Sequence, residues 1–194
     1  MGLSLTRQPR IERIHFGVPL EQVCKDDIPA PLLVLILKLN KEGPYKKDIF
    51  RAPGHHKKVK KLIQFLKHGK LINIDSFSTH TLASVLKKFI RKLPGGIFGP
   101  QNENMLFNVI DIENTDEKLN EIHRLIISLP SVAQYLLVLL FGTFHAIAIS
   151  SPTTQNGMSS EALGVSVAPS FFQSCASDRS VAIIDVPRFK VSYV

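Results

Sequence analysis

Apolar residues recur along this chain at the three- and four-residue intervals that place them on one face of a helix. One such segment covers residues 54–67, a second runs from Ser78 or Thr79 to Leu93, and a third begins with Thr115 as its cap. The inner faces predicted for these helices are, in order, Val59, Leu62, Ile63 and Leu66; Leu82, Val85, Leu86, Phe89 and Leu93; and Leu119, Ile122, Ile126 and Leu129. Gly69 is the expected stop of the first helix.

Two segments are apolar on nearly every side, which predicts central helices. They are residues 32–39, with Lys38 as the exception, and residues 132–149, which carry only scattered polar groups. The second is about long enough to span a bilayer. Pro130 and Pro152 bracket it, however, and a buried helix of a bundle explains it better. A short helix from about Ser160 to residue 167, ending at Pro169, completes a predicted all-α fold without a transmembrane segment.

Composition narrows the functional classes. The chain has 194 residues, enough for one domain, and a formal net charge of +8, which favours an acidic or phosphate-bearing partner. Its two cysteines, Cys24 and Cys175, are far apart, so neither a disulfide framework nor a metal site is expected. The N-terminus lacks the long apolar core of a signal peptide, and a cytoplasmic protein is expected.

The most informative residue is Arg51, in the run 48–54, DIFRAPG. It follows a predicted buried helix and precedes Pro53 and Gly54, so it should lie on an exposed connecting loop. Arginine suits the stabilisation of phosphate charge, because the guanidinium is planar, always protonated and offers five donors.

Three motifs in order give the chain a resemblance to the Rho GTPase-activating protein (RhoGAP) domain family. The run 49–51, IFR, is similar to the family's Gly-Ile-Phe-Arg finger loop; residues 86–94, LKKFIRKLP, resemble Leu-Lys-x-Phe-Leu-Arg-x-Leu-Pro; and residues 158–164, MSSEALG, resemble Met-x-x-x-Asn-Leu-Ala. The match covers about residues 16–175, between irregular segments 1–15 and 176–194. Within the family, the T-cell-activation subgroup looks closest.

The resemblance implies that the chain is no enzyme itself but an activator of a GTP-bound Rho-family small GTPase. Arg51 would be the arginine finger supplied in trans, and Lys87 and Arg91 would position the finger loop and contact the GTPase. The finger stabilises charge that builds on the transferred phosphoryl group. The domain itself would need no cofactor or metal and would be monomeric.

Several departures from the family pattern leave alternatives open. Ala162 stands where the family has an Asn that contacts the GTPase, and Asp48 replaces a Gly before the finger. Asp48 also removes a residue free to take positive φ, and its carboxylate could pair with Arg51 and hold it away. A non-catalytic docking module is therefore the alternative to an activator. A basic module for nucleic acid or anionic membrane, using Lys57–Lys61, is less favoured because base-stacking aromatics are not interleaved there. The family's last helix is expected to be missing or altered, because residues 176–194 show no helical period.

Overall fold

The computed structural model describes residues 12–25 and 27–173, and every regular element in those ranges is helical, as the sequence predicts. The α-helices are α1 (Leu20–Val23), α2 (Ala30–Glu42), α3 (His56–His68), α4 (Thr79–Arg91), α5 (Pro100–Ile110), α6 (Thr115–Ser128), α7 (Ser131–Thr154) and α8 (Ser160–Phe171). The described residues also contain two short 3₁₀ turns. The turn Gly43–Tyr45 directly follows α2, and the turn Ile74–Ser76 precedes α4.

Helix α7 lies at the centre of the bundle. It packs against α2 and the Gly43–Tyr45 turn on one side and against α6 and α8 on others, while α4 packs against α2, α3 and α8. Leu35 and Leu39 of α2 and Leu136, Leu140 and Ile147 of α7 are completely buried. α7 has the length and mean hydropathy, 1.9, of a membrane-spanning helix. One face of α7 packs into the core, as expected for residues 132–149, but Tyr135, Val138 and Ile149 are 64%, 68% and 61% exposed, so the helix is not buried on every side.

The amphipathic helices α3 and α4 confirm the sequence pattern. All predicted inner residues of both are buried, from Val59 to Leu66 in α3 and from Leu82 to Leu93 around α4. Ser78 caps α4 by accepting a hydrogen bond from the Thr81 N–H, and Gly69 ends α3 with φ 61°. These ends follow local rules for helix caps, so they were readable from the sequence.

Other helices differ from the predictions. The cap of α6 is Asn114 and not Thr115, and Leu119 is 58% exposed whereas Leu125 is buried. α6 packs mainly against α5 and α7 at the edge of the bundle, so its buried strip is too narrow to include Leu119. α5 was not predicted, because its apolar positions are broken by polar residues.

Helix α8 is longer than predicted and continues through Pro169 to Phe171. A proline in the last turn removes only one intrahelical hydrogen bond, so the helix can pass it. Residues 12–15 form no helix, and Ile14 donates its N–H to the Leu66 carbonyl at 3.0 Å. The rest of the irregular segment 1–15, residues 1–11, and the segment 176–194 with the altered last helix lie outside the described residues.

Candidate functional site

The loop that carries Arg51 connects the Gly43–Tyr45 turn to α3 and is anchored by two buried apolar residues. Ile49 and Phe50 are 0% and 1% exposed, and the Phe50 ring meets Phe144 of α7 edge to face with centroids 5.2 Å apart. Asp48 and Phe50 both have positive φ, 54° and 67°. Such a conformation is rare for a bulky residue and costs roughly 1–3 kcal/mol, so surrounding contacts must hold the loop in place.

Lys87 of α4 supplies one of these contacts. Its ammonium donates to the Phe50 carbonyl, directly before Arg51, and lies 3.4 Å from the Ser166 carbonyl of α8. Burial lowers the pKa of Lys87, and the positive charge of Arg91 lowers it further. Lys87 is therefore no freely solvated lysine on a helix surface: it holds the loop around Arg51 against α4 and α8.

The connection between α7 and α8 supplies a second anchor through Asn156, which is 1% exposed. Its side-chain amide donates to the carbonyls of Pro44 at 2.9 Å and Ile147 at 3.1 Å, and its side-chain oxygen accepts the Met158 N–H at 2.8 Å. Its backbone carbonyl accepts the Asp48 N–H at 2.8 Å. Asn156 thus ties the start of the loop around Arg51 to the end of α7.

Gly54 fixes the far end of the loop. Its N–H donates to the Ser84 hydroxyl of α4 at 2.8 Å. A Cβ atom at this position would lie only 2.5 Å from the Thr81 Cα atom. Only glycine permits this close approach of loop and helix, and the loop is therefore held at both ends and in its middle.

Arg51 itself is exposed, as predicted, with half of its side-chain surface open to solvent. The guanidinium is not free, however. It donates to the Asp48 carboxylate at 2.6 Å and to the Gly157 carbonyl at 3.0 Å. The pairing between Asp48 and Arg51 that the sequence suggested is thus present. The expected loss of positive φ is wrong, because Asp48 adopts the left-handed conformation without being glycine, as short polar residues more readily do.

The structure brings the other predicted residues to the α4–α8 side of the same loop. Arg91 is exposed one turn beyond Lys87, with its guanidinium 3.5 Å from the buried Ser170 hydroxyl of α8. Ala162 lies in the first turn of α8, where its N–H is capped by Ser159 at 3.3 Å. Its methyl group offers neither donor nor acceptor. Among the described residues, no cluster of His, Cys, Asp or Glu could hold a metal ion.

Sequence reasoning missed Asn156, Gly157 and the Ser84–Gly54 contact. Residues 153–157 read only as a polar loop, and nothing local shows that Asn156 is buried. A Gln-Asn-Gly run that follows a long apolar helix is a weak turn signal, but its contact with residues 44–51 depends on the tertiary fold.

The sequence and the fold both resemble those of known proteins. The model of the RhoGAP domain family matches residues 29–176. Rho GTPase-activating protein 20 from Homo sapiens is 37% identical over 163 residues, which are 84% of this chain and 14% of that protein. Human unconventional myosin-IXa is 28% identical over 164 residues, 83% of this chain and 6% of that protein. This chain therefore spans only a small part of the length of these relatives.

The T-cell activation Rho GTPase-activating protein from Homo sapiens is 24% identical over 169 residues, 86% of this chain and 23% of that protein. The likeness to that subgroup is thus weaker than the likeness to Rho GTPase-activating protein 20. Among solved structures, human Rho GTPase activating protein 15 has a TM-score of 0.81 at 20% identity, covering 93% of this chain and 89% of that one. The BH domain from GRAF has a TM-score of 0.69 at 24% identity, covering 82% and 85%. At these identities the structural matches show the fold.

Proposed function

This chain belongs to the RhoGAP family, and on that premise we propose that it activates GTP hydrolysis by a Rho-family small GTPase, with Arg51 as the arginine finger supplied in trans. The observation that carries the proposal is an exposed arginine on a loop fixed by Phe50, Lys87 and Asn156. Such a loop presents a guanidinium in a defined place, which electrostatic stabilisation of a transition state requires.

The chemistry follows from charge. During phosphoryl transfer, negative charge builds on the transferred group and the leaving oxygens, and a guanidinium that reaches them lowers the barrier. An arginine finger in such systems is worth about 10³–10⁵ in rate. The GTPase retains GTP, magnesium and the attacking water, so the chain regulates hydrolysis and performs no bond cleavage of its own.

The remaining site residues take supporting roles in this proposal. Lys87 is a positioning residue for the finger, because its ammonium holds the carbonyl directly before Arg51. Arg91 is exposed and is the proposed cationic contact to the GTP-bound GTPase. The position of Ala162 would face the same partner without a polar contact. The proposal includes a monomeric domain that acts in the cytoplasm.

The second candidate is a module that docks a GTPase without accelerating hydrolysis. Two observations favour this docking module. The Asp48 carboxylate already accepts a hydrogen bond from the Arg51 guanidinium, and the Ala162 side chain has no hydrogen-bonding group. Both functions need the same surface, so binding alone does not separate them.

Single-turnover hydrolysis by a panel of GTP-loaded Rho-family GTPases separates them. The wild-type domain should accelerate at least one, Arg51→Ala should remove most of the acceleration, and Arg51→Lys should restore little of it, since an ammonium lacks the planar fork. Binding to the same GTPase loaded with a non-hydrolysable GTP analogue should stay nearly intact, because the finger acts on transition-state charge.

Arg124→Ala is the matched control. Arg124 is also an exposed arginine paired with a carboxylate three residues away, but it lies on α6, outside the finger loop. It should leave the rate unchanged. If the wild-type domain binds but does not accelerate, and Arg51→Ala behaves identically, the docking module is the correct function.

A further inference from the structure

The guanidinium of Arg51 is folded back onto its own domain in the free protein. One terminal nitrogen donates to the Asp48 carboxylate at 2.6 Å and the other to the Gly157 carbonyl at 3.0 Å. These two bonds direct both terminal nitrogens inward. The same two terminal nitrogens are those through which a guanidinium donates to two oxygens of a phosphate.

Asp48 is held firmly in the position from which it makes this contact. Its N–H donates to the Asn156 carbonyl at 2.8 Å, and its own carbonyl accepts the N–H groups of Arg51 and Ala52 at 3.0 and 2.8 Å. With φ of 54°, this tight turn places the side chains of Asp48 and Arg51 together.

Gly157 completes the arrangement with its backbone, whose carbonyl accepts from the Arg51 guanidinium at 3.0 Å. Its φ of 73° favours glycine, and a Cβ atom there would make only ordinary contact with the Asp48 carboxylate oxygen, at 3.5 Å. The acceptor carbonyl and the carboxylate therefore form a receptor for the guanidinium, built from two segments about a hundred residues apart in the chain.

We propose that Asp48 is a positioning residue that holds Arg51 in an inward conformation against Gly157 in the free domain. The guanidinium must then break its bond to the Asp48 carboxylate before it binds phosphate. This inference rests on the proposed finger role of Arg51. Asp48 and Gly157 each engage one N–H donor of a terminal nitrogen, and the guanidinium has to turn away from them before both terminal nitrogens face the oxygens of a phosphate. Asp48 then sets how much of the bound domain has its finger engaged.

The expected effect is modest because the pair is open to water. The side chains of Arg51 and Asp48 are 51% and 31% exposed. Exposed pairs of this kind shift an equilibrium by about two- to fivefold. We therefore expect Asp48→Asn to raise the maximal stimulated rate of GTP hydrolysis, at saturating domain, by about two- to fivefold.

The choice of variants keeps the fold intact. Asparagine has nearly the same shape, lacks the charge and tolerates positive φ, and Asp48→Gly serves as a second variant at this backbone angle. Glu121→Gln is the matched control, since Glu121 forms an equally local ion pair with Arg124 at 2.8 Å on α6. It removes the same charge and should not change the rate. In an Arg51→Ala background, Asp48→Asn should lose its effect, because its only route to the rate is through the guanidinium.

A measurement on the free domain tests, without any partner, whether Asp48 holds the Arg51 guanidinium in place. Nitrogen-15 relaxation of the Arg51 Nε–H group should show an ordered guanidinium in the wild type and a mobile one in Asp48→Asn. An equally ordered guanidinium in both, or a maximal rate that is unchanged or lower in Asp48→Asn, overturns the inference while leaving the finger role intact. If no variant stimulates any GTPase of the panel, the proposed function fails and the inference fails with it.

Discussion

Replacing Asn156 tests how the finger loop is held in place. The Asn156→Ala change removes three hydrogen bonds made by one buried side chain, with lengths of 2.8 to 3.1 Å. The Pro44 carbonyl keeps a bond from the Thr154 hydroxyl at 2.8 Å. The N–H of Met158, a completely buried residue, loses its partner.

The magnitude follows from these losses. An unsatisfied buried donor costs roughly 1–3 kcal/mol, and each further hydrogen bond contributes about 1 kcal/mol net. We therefore expect Asn156→Ala to lower the free energy of unfolding by about 3–5 kcal/mol, measured by equilibrium urea denaturation. The stimulated hydrolysis rate should fall as well, because the Asn156 backbone, which accepts the Asp48 N–H, would lose its fixed position.

Asn114→Ala is the control for this experiment. The Asn114 side chain also makes backbone hydrogen bonds, but it caps α6 at the exposed surface. Its loss should cost only about 1 kcal/mol. Asn156→Asp keeps the shape but turns one carboxylate oxygen toward the carbonyls of Pro44 and Ile147, and it should be at least as harmful as Asn156→Ala. A loss below about 1 kcal/mol for Asn156→Ala would show that this residue does not anchor the loop.

Three further predictions concern the supports of the site. Lys87→Met removes the donor that positions the loop, so it should lower the stimulated rate at least about tenfold. It also removes a charge whose burial is unfavourable, so the free energy of unfolding should change by less than about 1 kcal/mol. Equal losses of rate and stability would contradict the positioning role. Gly54→Ala should destabilise the domain by about 1–3 kcal/mol in the same denaturation assay, because the new Cβ atom would lie 2.5 Å from the α4 backbone. Gly142→Ala, on the open face of α7, should instead stabilise the domain by roughly 0.5–1 kcal/mol. The hydrogen bond with Lys38 lowers the pKa of Glu42 below its ordinary value of 4.5. The stability that this ionised carboxylate contributes is therefore present above pH 4.5 and is lost as the pH falls through the lowered pKa. Urea denaturation at pH values from 3 to 7 should show a steeper loss of stability in acid for the wild type than for Glu42→Gln.

The sequence was sufficient for features that local spacing determines. The buried faces of α3 and α4 follow from the helical period, and α7 was recognisable as one long helix from its nearly unbroken run of apolar residues. The exposed loop around Arg51 could be predicted since Gly43, Pro44, Pro53 and Gly54 interrupt the helices on either side of it. Here each residue's immediate neighbours carry the information.

Features that depend on distant parts of the chain could not be predicted. Asn156 is buried only because the Gly43–Tyr45 turn packs on α7, and no pattern within residues 150–157 reveals this. Phe50 takes a positive φ that its side chain disfavours, because contacts with α4 and α7 outweigh that preference. The exposure of Leu119 likewise reflects how little of α6 the bundle covers. In each case tertiary packing overrode the local preference.

The anchoring of the finger loop by the α7–α8 connection has a consequence for the order of folding. Residues 44–51 bond to residues 154–157, which are synthesised more than a hundred positions later. A nascent chain that ends before Asn156 contains Arg51 but lacks the partners that shape its loop. Contacts so distant in sequence also form late, because the intervening chain must first be ordered. Arg51 and its loop would therefore acquire their geometry only as the bundle closes, which makes the conformation of this loop a sensitive reporter of complete folding.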